Sequence, residues 1–252
     1  MPQSSGKRAR FCQTSHMPIA SHPATLSPAL SSLFPPGVVA AELRVPGDLE
    51  LLLPAEARHL ERAVPKRARE FAAGRQCARR ALAEFGIVDF AIEVAADRQP
   101  VWPASIAGSI THTAGFCAAA VAERELIGAL GLDSEVVGDV KAAIWPRVCG
   151  PAETAWLRAL PASQRQAAVT LIFSAKEAFY KCQYPITQER LDFQDVQVEA
   201  AWGGTDGGQF RIHPTRSLGI GLRAALPLHG RYLFHQEFVT AGVGLAAVHY
   251  VQ

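Results

Sequence analysis

Residues 126–135 read Leu-Ile-Gly-Ala-Leu-Gly-Leu-Asp-Ser-Glu, an apolar run followed by two carboxylates with one serine between them. A short apolar run of this kind indicates a buried β-strand over residues 126–132. Side chains two positions apart on a strand point to the same face of its sheet. The sequence therefore predicts that Asp133 and Glu135 share one face and that Ser134 points to the other.

A second stretch, residues 164–182, has apolar residues at helical spacing and predicts a helix that Pro185 stops. Within it, Glu177 and Lys181 are four residues apart, so both side chains lie on one helical face. The simplest interpretation of such a pair is a surface ion pair, which contributes only a few tenths of a kcal/mol. A functional interpretation requires that this helix meet the carboxylates of the strand.

Three carboxylates, two at a strand end and one on a helix, indicate a site for Mg²⁺. This cation is hard, takes oxygen ligands and often shares the phosphates of a substrate. A lysine beside such a cluster would neutralise phosphate charge. On spacing alone, the strand carboxylates could instead simply cap the end of the strand. The candidate ligands are Asp133, Glu135 and Glu177, and the neighbouring lysines are Lys176 and Lys181.

Two arginines and a short polar stretch are further candidates for binding phosphate. Arg67 and Arg75 are two four-residue steps apart on a helix predicted at 65–85, so both can reach the same side. Arginine presents a planar fork that matches phosphate oxygens. In the stretch Gly-Ser-Ile-Thr-His-Thr, Thr111 and His112 could present a hydroxyl and an imidazole to one ligand. From charge alone, a solvated helix face stays the simpler interpretation of the arginines.

The order of elements predicts an α+β protein made of two halves of similar plan, residues 38–130 and 131–252. Residues 1–37 are rich in Ser, Pro, Thr and Ala and are expected to form a flexible lead-in. The predicted elements are a strand at 38–45, helices at 54–63 and 65–85, strands at 91–95, 106–112, 116–122 and 126–132, helices around 139–145, 151–160 and 164–182, and several strands from 193 to 251.

Composition and missing motifs exclude several classes of protein. The net charge of +2 gives no reason to expect a nucleic-acid or membrane partner, and no run approaches the ~20 apolar residues of a membrane span. The five cysteines are scattered, which supports neither a disulfide framework nor a zinc site and fits a reducing cytoplasm. The sequence shows no secretory signal, Walker-type phosphate loop, Gly-x-Ser-x-Gly elbow or Gly-x-Gly-x-x-Gly loop.

Taken in order, these segments resemble the 4′-phosphopantetheinyl transferases of the surfactin-activating and enterobactin synthase component D type. The resemblance spans about residues 60 to 185 and departs from the commonest pattern at Ser134, where an apolar residue is usual. The segments that carry it are Arg67-Ala-Arg-Glu-Phe-Ala-Ala-Gly-Arg-Gln-Cys-Ala-Arg79, Pro100-Val-Trp-Pro103, Gly108-Ser-Ile-Thr-His112, Gly131-Leu-Asp-Ser-Glu135 and Phe173-Ser-Ala-Lys-Glu-Ala-Phe-Tyr-Lys181.

The resemblance implies a pseudo-dimer of two α+β halves with the active site between them. It implies Mg²⁺-dependent transfer of the phosphopantetheine arm of coenzyme A to a serine of an apo acyl or peptidyl carrier protein, with release of adenosine 3′,5′-bisphosphate. By position, the metal ligands are Asp133, Glu135 and Glu177, the residues toward coenzyme A are Arg67, Arg75, Thr111, His112, Lys176 and Lys181, and the catalytic residues are Glu177 and Lys181. Glu177 is expected to take the serine proton, with water or Glu135 as alternatives, and Lys181 to act on the leaving phosphate.

The resemblance also implies a class of partner and leaves the particular carrier open. We expect a monomeric, cytoplasmic holo-carrier synthase whose carrier serves siderophore, peptide, polyketide or fatty-acid synthesis. Two other functions stay possible from the residues alone. A Mg²⁺-dependent nucleotide phosphohydrolase would use the same acids and lysine, and a nucleic-acid-binding protein would use the arginine-rich helix, which lacks aromatic residues free to stack on bases.

Overall fold

The computed structural model describes residues 24–204, 206–218 and 228–247. Two antiparallel sheets are each packed against one long helix, so the predicted pair of α+β halves is confirmed. In the part of the chain described, no helix has the length and apolarity needed to cross a membrane.

The first half contains a four-stranded sheet in the order β1-β2-β4-β3. Its main helix, α3, packs over the sheet through small side chains, because alanines and a glycine on the buried face let the helix approach closely. The elements are β1 (Thr25–Leu26), α1 (Pro28–Ser31), β2 (Val39–Leu43), α2 (Pro54–Ala57), α3 (Pro65–Leu82), β3 (Ile106–Thr113) and β4 (Phe116–Glu123).

The second half contains a five-stranded sheet in the order β5-β9-β8-β7-β6. The long helix α6 packs across one face of this sheet, with Leu171, Phe179 and Val239 among the fully buried side chains between them. The elements are β5 (Ile127–Val136), α4 (Trp145–Val148), α5 (Pro151–Ala159), α6 (Ala162–Thr187), β6 (Val196–Ala200), β7 (Gly208–Pro214), β8 (Leu228–His235) and β9 (Phe238–Ala246).

Several predictions about elements differ from the structure, among them the helix expected around 139–145, where α4 spans only Trp145–Val148. Residues 24–37 are packed rather than flexible, because Leu30 and Phe34 are buried in an apolar cluster with both sheets, and residues 1–23 lie outside the described residues. The strand predicted at 91–95 forms only one bridge, between Val94 and Pro100. Pro185 does not stop α6, which continues to Thr187, since one missing amide near a helix end removes few hydrogen bonds. The predicted strand ending at 132 continues to Val136, through both carboxylates.

The two halves meet where β3 and β5 run side by side in the same direction. The Ser109 hydroxyl oxygen accepts a hydrogen bond from the Leu132 amide at 3.0 Å, and the Thr111 hydroxyl oxygen accepts one from the Ser134 amide at 2.9 Å. Side chains of one edge strand thus satisfy backbone amides of the other. We call this boundary the seam.

Gly131 sets how closely α6 approaches β5. A Cβ atom at this position would overlap the Ala178 carbonyl oxygen, so any larger residue would push the helix away from the strand. The close contact places Glu177 and Lys181 of α6 directly over the carboxylates of β5.

Candidate active site

A cleft of about 850 Å³ lies between α3 and β3 of one half and β5 and α6 of the other. Its walls are strongly basic and come from both halves. The basic side chains that line it are His59, Arg67, Arg75, Arg98, His112, Arg124, Lys181 and Arg190. A cleft of this size and charge suits a nucleotide-sized anion.

Asp133 lies beside this cleft and is nearly buried, at 4% exposure. Its Oδ1 atom accepts a hydrogen bond from the Lys181 ammonium at 2.7 Å and one from the Thr111 hydroxyl at 3.5 Å. Its Oδ2 atom is buried and has no hydrogen-bond partner among the described residues. A buried carboxylate oxygen without a partner is costly and indicates a missing donor or cation.

Two further carboxylates share this environment. Burial raises the pKa of Glu135 to about 8, with a further increase from the negative charge of Asp133 and an opposing effect of Lys181. Burial also raises the pKa of Glu177, again with a contribution from Asp133 and opposition from Lys181. Three carboxylates therefore stand close enough to disfavour one another's ionised forms.

The chemistry of this acidic cluster fits a divalent cation, because a cation would relieve the repulsion and give Asp133 Oδ2 a partner. Within residues 24–204, 206–218 and 228–247, no group of three or more His, Cys, Asp or Glu side chains is already arranged to hold a metal ion. In this arrangement Lys181 provides the positive charge nearest to Asp133.

Ser134 points away from the acidic cluster, as the alternation of a strand predicts. It is fully buried, and its hydroxyl lies 2.8 Å from the Thr240 hydroxyl on the neighbouring strand β9. The Thr240 hydroxyl in turn lies 2.8 Å from His235 Nε2. The unusual serine of this position is therefore a hydrogen-bonded core residue.

The basic wall opposite the acids is formed by α3 and β3. The Arg75 guanidinium is buried, stacks 3.7 Å above the centre of the Phe71 ring and donates from Nε to the Ile92 carbonyl at 3.1 Å. Arg67 donates to His112 Nε2. Partial burial and the charge of Arg67 lower the pKa of His112.

Two residues predicted to contact coenzyme A lie elsewhere. Lys176 is 3% exposed and is not part of the cleft wall. Its ammonium donates at 2.8 Å to Glu153 and to the carbonyls of Val148 and Phe193. Thr111 is buried in the seam, where it holds the Ser134 amide and contacts Asp133, so it supports the acidic cluster from behind.

Several residues of the cleft were not predicted as site residues. Arg124 reaches it from the turn after β4, where its guanidinium also donates to the carbonyls of Ile106 and Gly128. Arg190 and a stacked pair, Tyr180 and Tyr184, line it from the end of α6 and the loop beyond. The four-residue spacing of the tyrosines was the only local signal available, because the arginines lie in loops.

Family models match each half of the fold separately. The model described as the 4′-phosphopantetheinyl transferase N-terminal domain matches residues 55–122, and that of the 4′-phosphopantetheinyl transferase superfamily matches residues 129–219. The first match includes β3 and the second includes most of β5, so the two matches lie on opposite sides of the seam. The chain belongs to the 4′-phosphopantetheinyl transferase family, a family of enzymes, which confirms the resemblance found in its sequence.

Individual relatives cover most of the chain. The 4′-phosphopantetheinyl transferase Npt of Nocardia iowensis is 33% identical over 224 residues, which is 86% of this chain and 100% of the relative. The 4′-phosphopantetheinyl transferase Svp of Streptomyces mobaraensis is 35% identical over 202 residues, which is 79% of this chain and 80% of the relative. The enterobactin synthase component D of Escherichia coli is 37% identical over 141 residues, 55% of this chain and 65% of its own.

Proposed function

We propose that this enzyme transfers the 4′-phosphopantetheine arm of coenzyme A to a serine of an apo carrier protein, with Mg²⁺ as cofactor. The observation that supports this best is the position of Asp133. Its unpartnered Oδ2 and its ion pair with Lys181 place acidic and basic groups together beside a basic cleft of nucleotide size.

The basic wall would bind the nucleotide of coenzyme A. Arg75 is fixed by Phe71 and by the Ile92 carbonyl, and no described residue accepts a hydrogen bond from its two Nη groups. Such a fork is suited to a phosphate group. We assign the 3′-phosphate to Arg75, Arg67 and His112, which all line the cleft.

Asp133, Glu135 and Glu177 would hold the cation. When bound, a divalent cation neutralises the negative charge that develops on the pyrophosphate oxygens during phosphoryl transfer. Lys181 lies next to Asp133 and at the cleft wall, where its ammonium can stabilise the charge on the leaving phosphate.

The transfer forms one bond and breaks one. The serine oxygen of the carrier attacks the phosphorus that bears the pantetheine arm, and the bond from that phosphorus to the bridging oxygen breaks. The electron pair leaves with adenosine 3′,5′-bisphosphate. Glu177 would accept the serine proton, directly or through water, with Glu135 as the alternative base.

The carrier would belong to siderophore, peptide, polyketide or fatty-acid synthesis, and the relative named as an enterobactin synthase component favours the first. We also propose that the enzyme works in the cytoplasm as a monomer. The cytoplasmic location is supported by the four cysteines that the structure describes, which are free thiols, buried at positions 77, 117, 149 and 182. The monomeric state rests on the resemblance to the family alone.

A direct test uses the purified protein with coenzyme A, Mg²⁺ and a panel of apo carriers. Mass spectrometry of each carrier should show the mass of the phosphopantetheine arm on one serine. No mass gain on any carrier would contradict the proposal. Release of phosphate or adenosine bisphosphate without a carrier would identify a phosphohydrolase instead.

A further inference from the structure

A buried carboxylate outside the cleft, Glu56 of α2, connects several segments of the first half. It is 0% exposed. Its Oε1 atom accepts a hydrogen bond from the Ile92 amide at 3.0 Å, and Oε2 accepts one from the Leu53 amide at 3.0 Å and another from Arg79. Arg79 also donates to the Leu51 carbonyl. Glu56 therefore fixes two loop segments against α3.

One of these contacts continues to the cleft. Ile92 donates its amide to Glu56 and offers its carbonyl to Arg75 Nε at 3.1 Å. Ile92 is outside both sheets, where no strand ladder holds its backbone. The Ile92 side chain is anchored in the core of the first half, and the hydrogen bond to Glu56 fixes the direction of its backbone, including the carbonyl that orients Arg75.

Glu56 also acts on Arg75 through its charge. Burial lowers the pKa of Arg75 to about 10, and the negative charge of Glu56 is the main influence that opposes this decrease. A buried guanidinium needs such a neighbour, since charge is costly away from water. Glu56 thus supports both the orientation and the ionised form of a group in the cleft wall.

We propose that Glu56 is a positioning residue for Arg75 and that it determines how strongly the cleft prefers a nucleotide with a 3′-phosphate. The inference rests on the proposed function, in which Arg75 binds that phosphate. Glu56 itself touches no substrate. It acts through the Ile92 backbone and through its electrostatic effect on Arg75.

The experiment compares the Kd of coenzyme A with that of dephospho-coenzyme A, which lacks only the 3′-phosphate, by titration calorimetry in Mg²⁺. The ratio of the two constants does not depend on how much of a variant is folded. The wild type should prefer coenzyme A, and Glu56→Gln should reduce this preference by about tenfold. The amide keeps one acceptor oxygen for the three donors that Glu56 binds, so its NH2 group must face a donor, and the negative charge near Arg75 is lost.

Two variants separate positioning from general stability. Arg75→Gln should remove most of the preference, and adding Glu56→Gln to it should cause no further loss, since the residues act in series. The matched control is Glu153→Gln. Glu153 is an equally buried carboxylate that binds Lys176 and the Val198 amide in the other half, and this change should lower stability without changing the ratio.

Arg79 is left without its partner in Glu56→Gln, so the single variant is expected to be less stable than the wild type. The double variant Glu56→Gln/Arg79→Gln removes both buried charges and provides a second folded protein for the measurement. Folded Glu56 variants that keep the wild-type preference would overturn the inference and leave the proposed function intact. A wild-type protein that binds both compounds equally would contradict the proposed phosphate site and this inference together.

Discussion

The Lys181 ammonium lies 2.7 Å from Asp133 Oδ1 and 3.2 Å from the Leu132 carbonyl, which joins α6 to β5 beside the cleft. The Asp133 side chain is 6% exposed, whereas that of Lys181 is 29% exposed. Lys181 is thus the counter-ion of a buried carboxylate and also one of the residues that line the cleft. This double position leads to different predictions for its removal and for the removal of Asp133.

Asp133→Asn should abolish most of the transfer activity while leaving the protein folded. The amide keeps the size of the side chain and removes the charge that would bind a cation, so we expect the rate to fall by at least roughly a hundredfold. The rate of mass gain on an apo carrier and the thermal unfolding curve measure the two effects. Glu84→Gln is the control and should keep the wild-type rate, since Glu84 lies just beyond α3 and pairs with Arg80 at the surface.

Lys181→Met should destabilise the protein in the absence of divalent cations by about 1–3 kcal/mol, since Asp133 then lacks its counter-ion. Mg²⁺ should stabilise this variant more than the wild type, because the cation replaces the missing positive charge. Thermal unfolding with and without Mg²⁺ tests this. Equal stabilisation of both proteins would argue against a cation at Asp133.

His112 should make coenzyme A binding dependent on pH. In the protein without ligand, the pKa of His112 is lowered from its ordinary value of 6.5. Partial burial and the charges of Arg67 and Lys181 lower it, and the charges of Glu70 and Asp133 oppose this change. A bound phosphate would raise this pKa again, so affinity should increase as the pH falls from 7.5 towards 5.5, roughly one unit on either side of the ordinary value.

The same shift has a defined effect on stability. The unfolded chain binds the His112 proton before the folded protein does, so this residue should lower stability as the pH falls through 6.5. His112→Gln should weaken both dependences. An unchanged pH profile of the coenzyme A Kd in this variant would remove His112 from the phosphate site.

Gly131→Ala should destabilise the protein by about 2 kcal/mol, because the new methyl group meets the Ala178 carbonyl and displaces α6 from β5. Transfer activity should fall as well, since Glu177 and Lys181 move with the helix. Gly203→Ala is the matched control, as a Cβ there meets no atom within 4 Å. Urea unfolding gives the comparison, and equal stability of the two variants would contradict the close contact.

Lys176→Met should lower stability by roughly 3 kcal/mol, because it leaves the Glu153 carboxylate buried without a counter-ion. The Kd of coenzyme A should remain that of the wild type, since Lys176 lies outside the cleft. Calorimetry on the folded protein measures this. A several-fold weaker Kd would return Lys176 to the binding residues.

Local periodicity predicted which side chains of the acidic cluster share a face. The two-residue period placed Asp133 and Glu135 together, with Ser134 on the other face, and the four-residue period placed Glu177 beside Lys181. Helical geometry also separates the two lysines, which are about 140° apart around the axis. The sequence analysis grouped both lysines with the acidic cluster, whereas the helix directs Lys176 into the core.

Long-range packing was not predictable from such periods. Arg124 and Arg190 reach the cleft from loops, and loops carry no regular pattern. Likewise, composition alone suggested a flexible segment where Leu30 and Phe34 are buried, because their partners lie far away in the sequence. The support of Arg75 by Glu56 depends on a contact between segments that are separated by 17 residues and more.

The seam has a consequence for how the two halves are aligned. Hydroxyl groups at Ser109 and Thr111 alternate with the aliphatic Ile110, and only the hydroxyls can accept from the amides of β5. A slip by one residue would put Ile110 opposite an amide and leave that amide without an acceptor. The relative position of the arginine wall and the acidic cluster is therefore encoded in the identity of two small side chains, and not in a continuous backbone ladder.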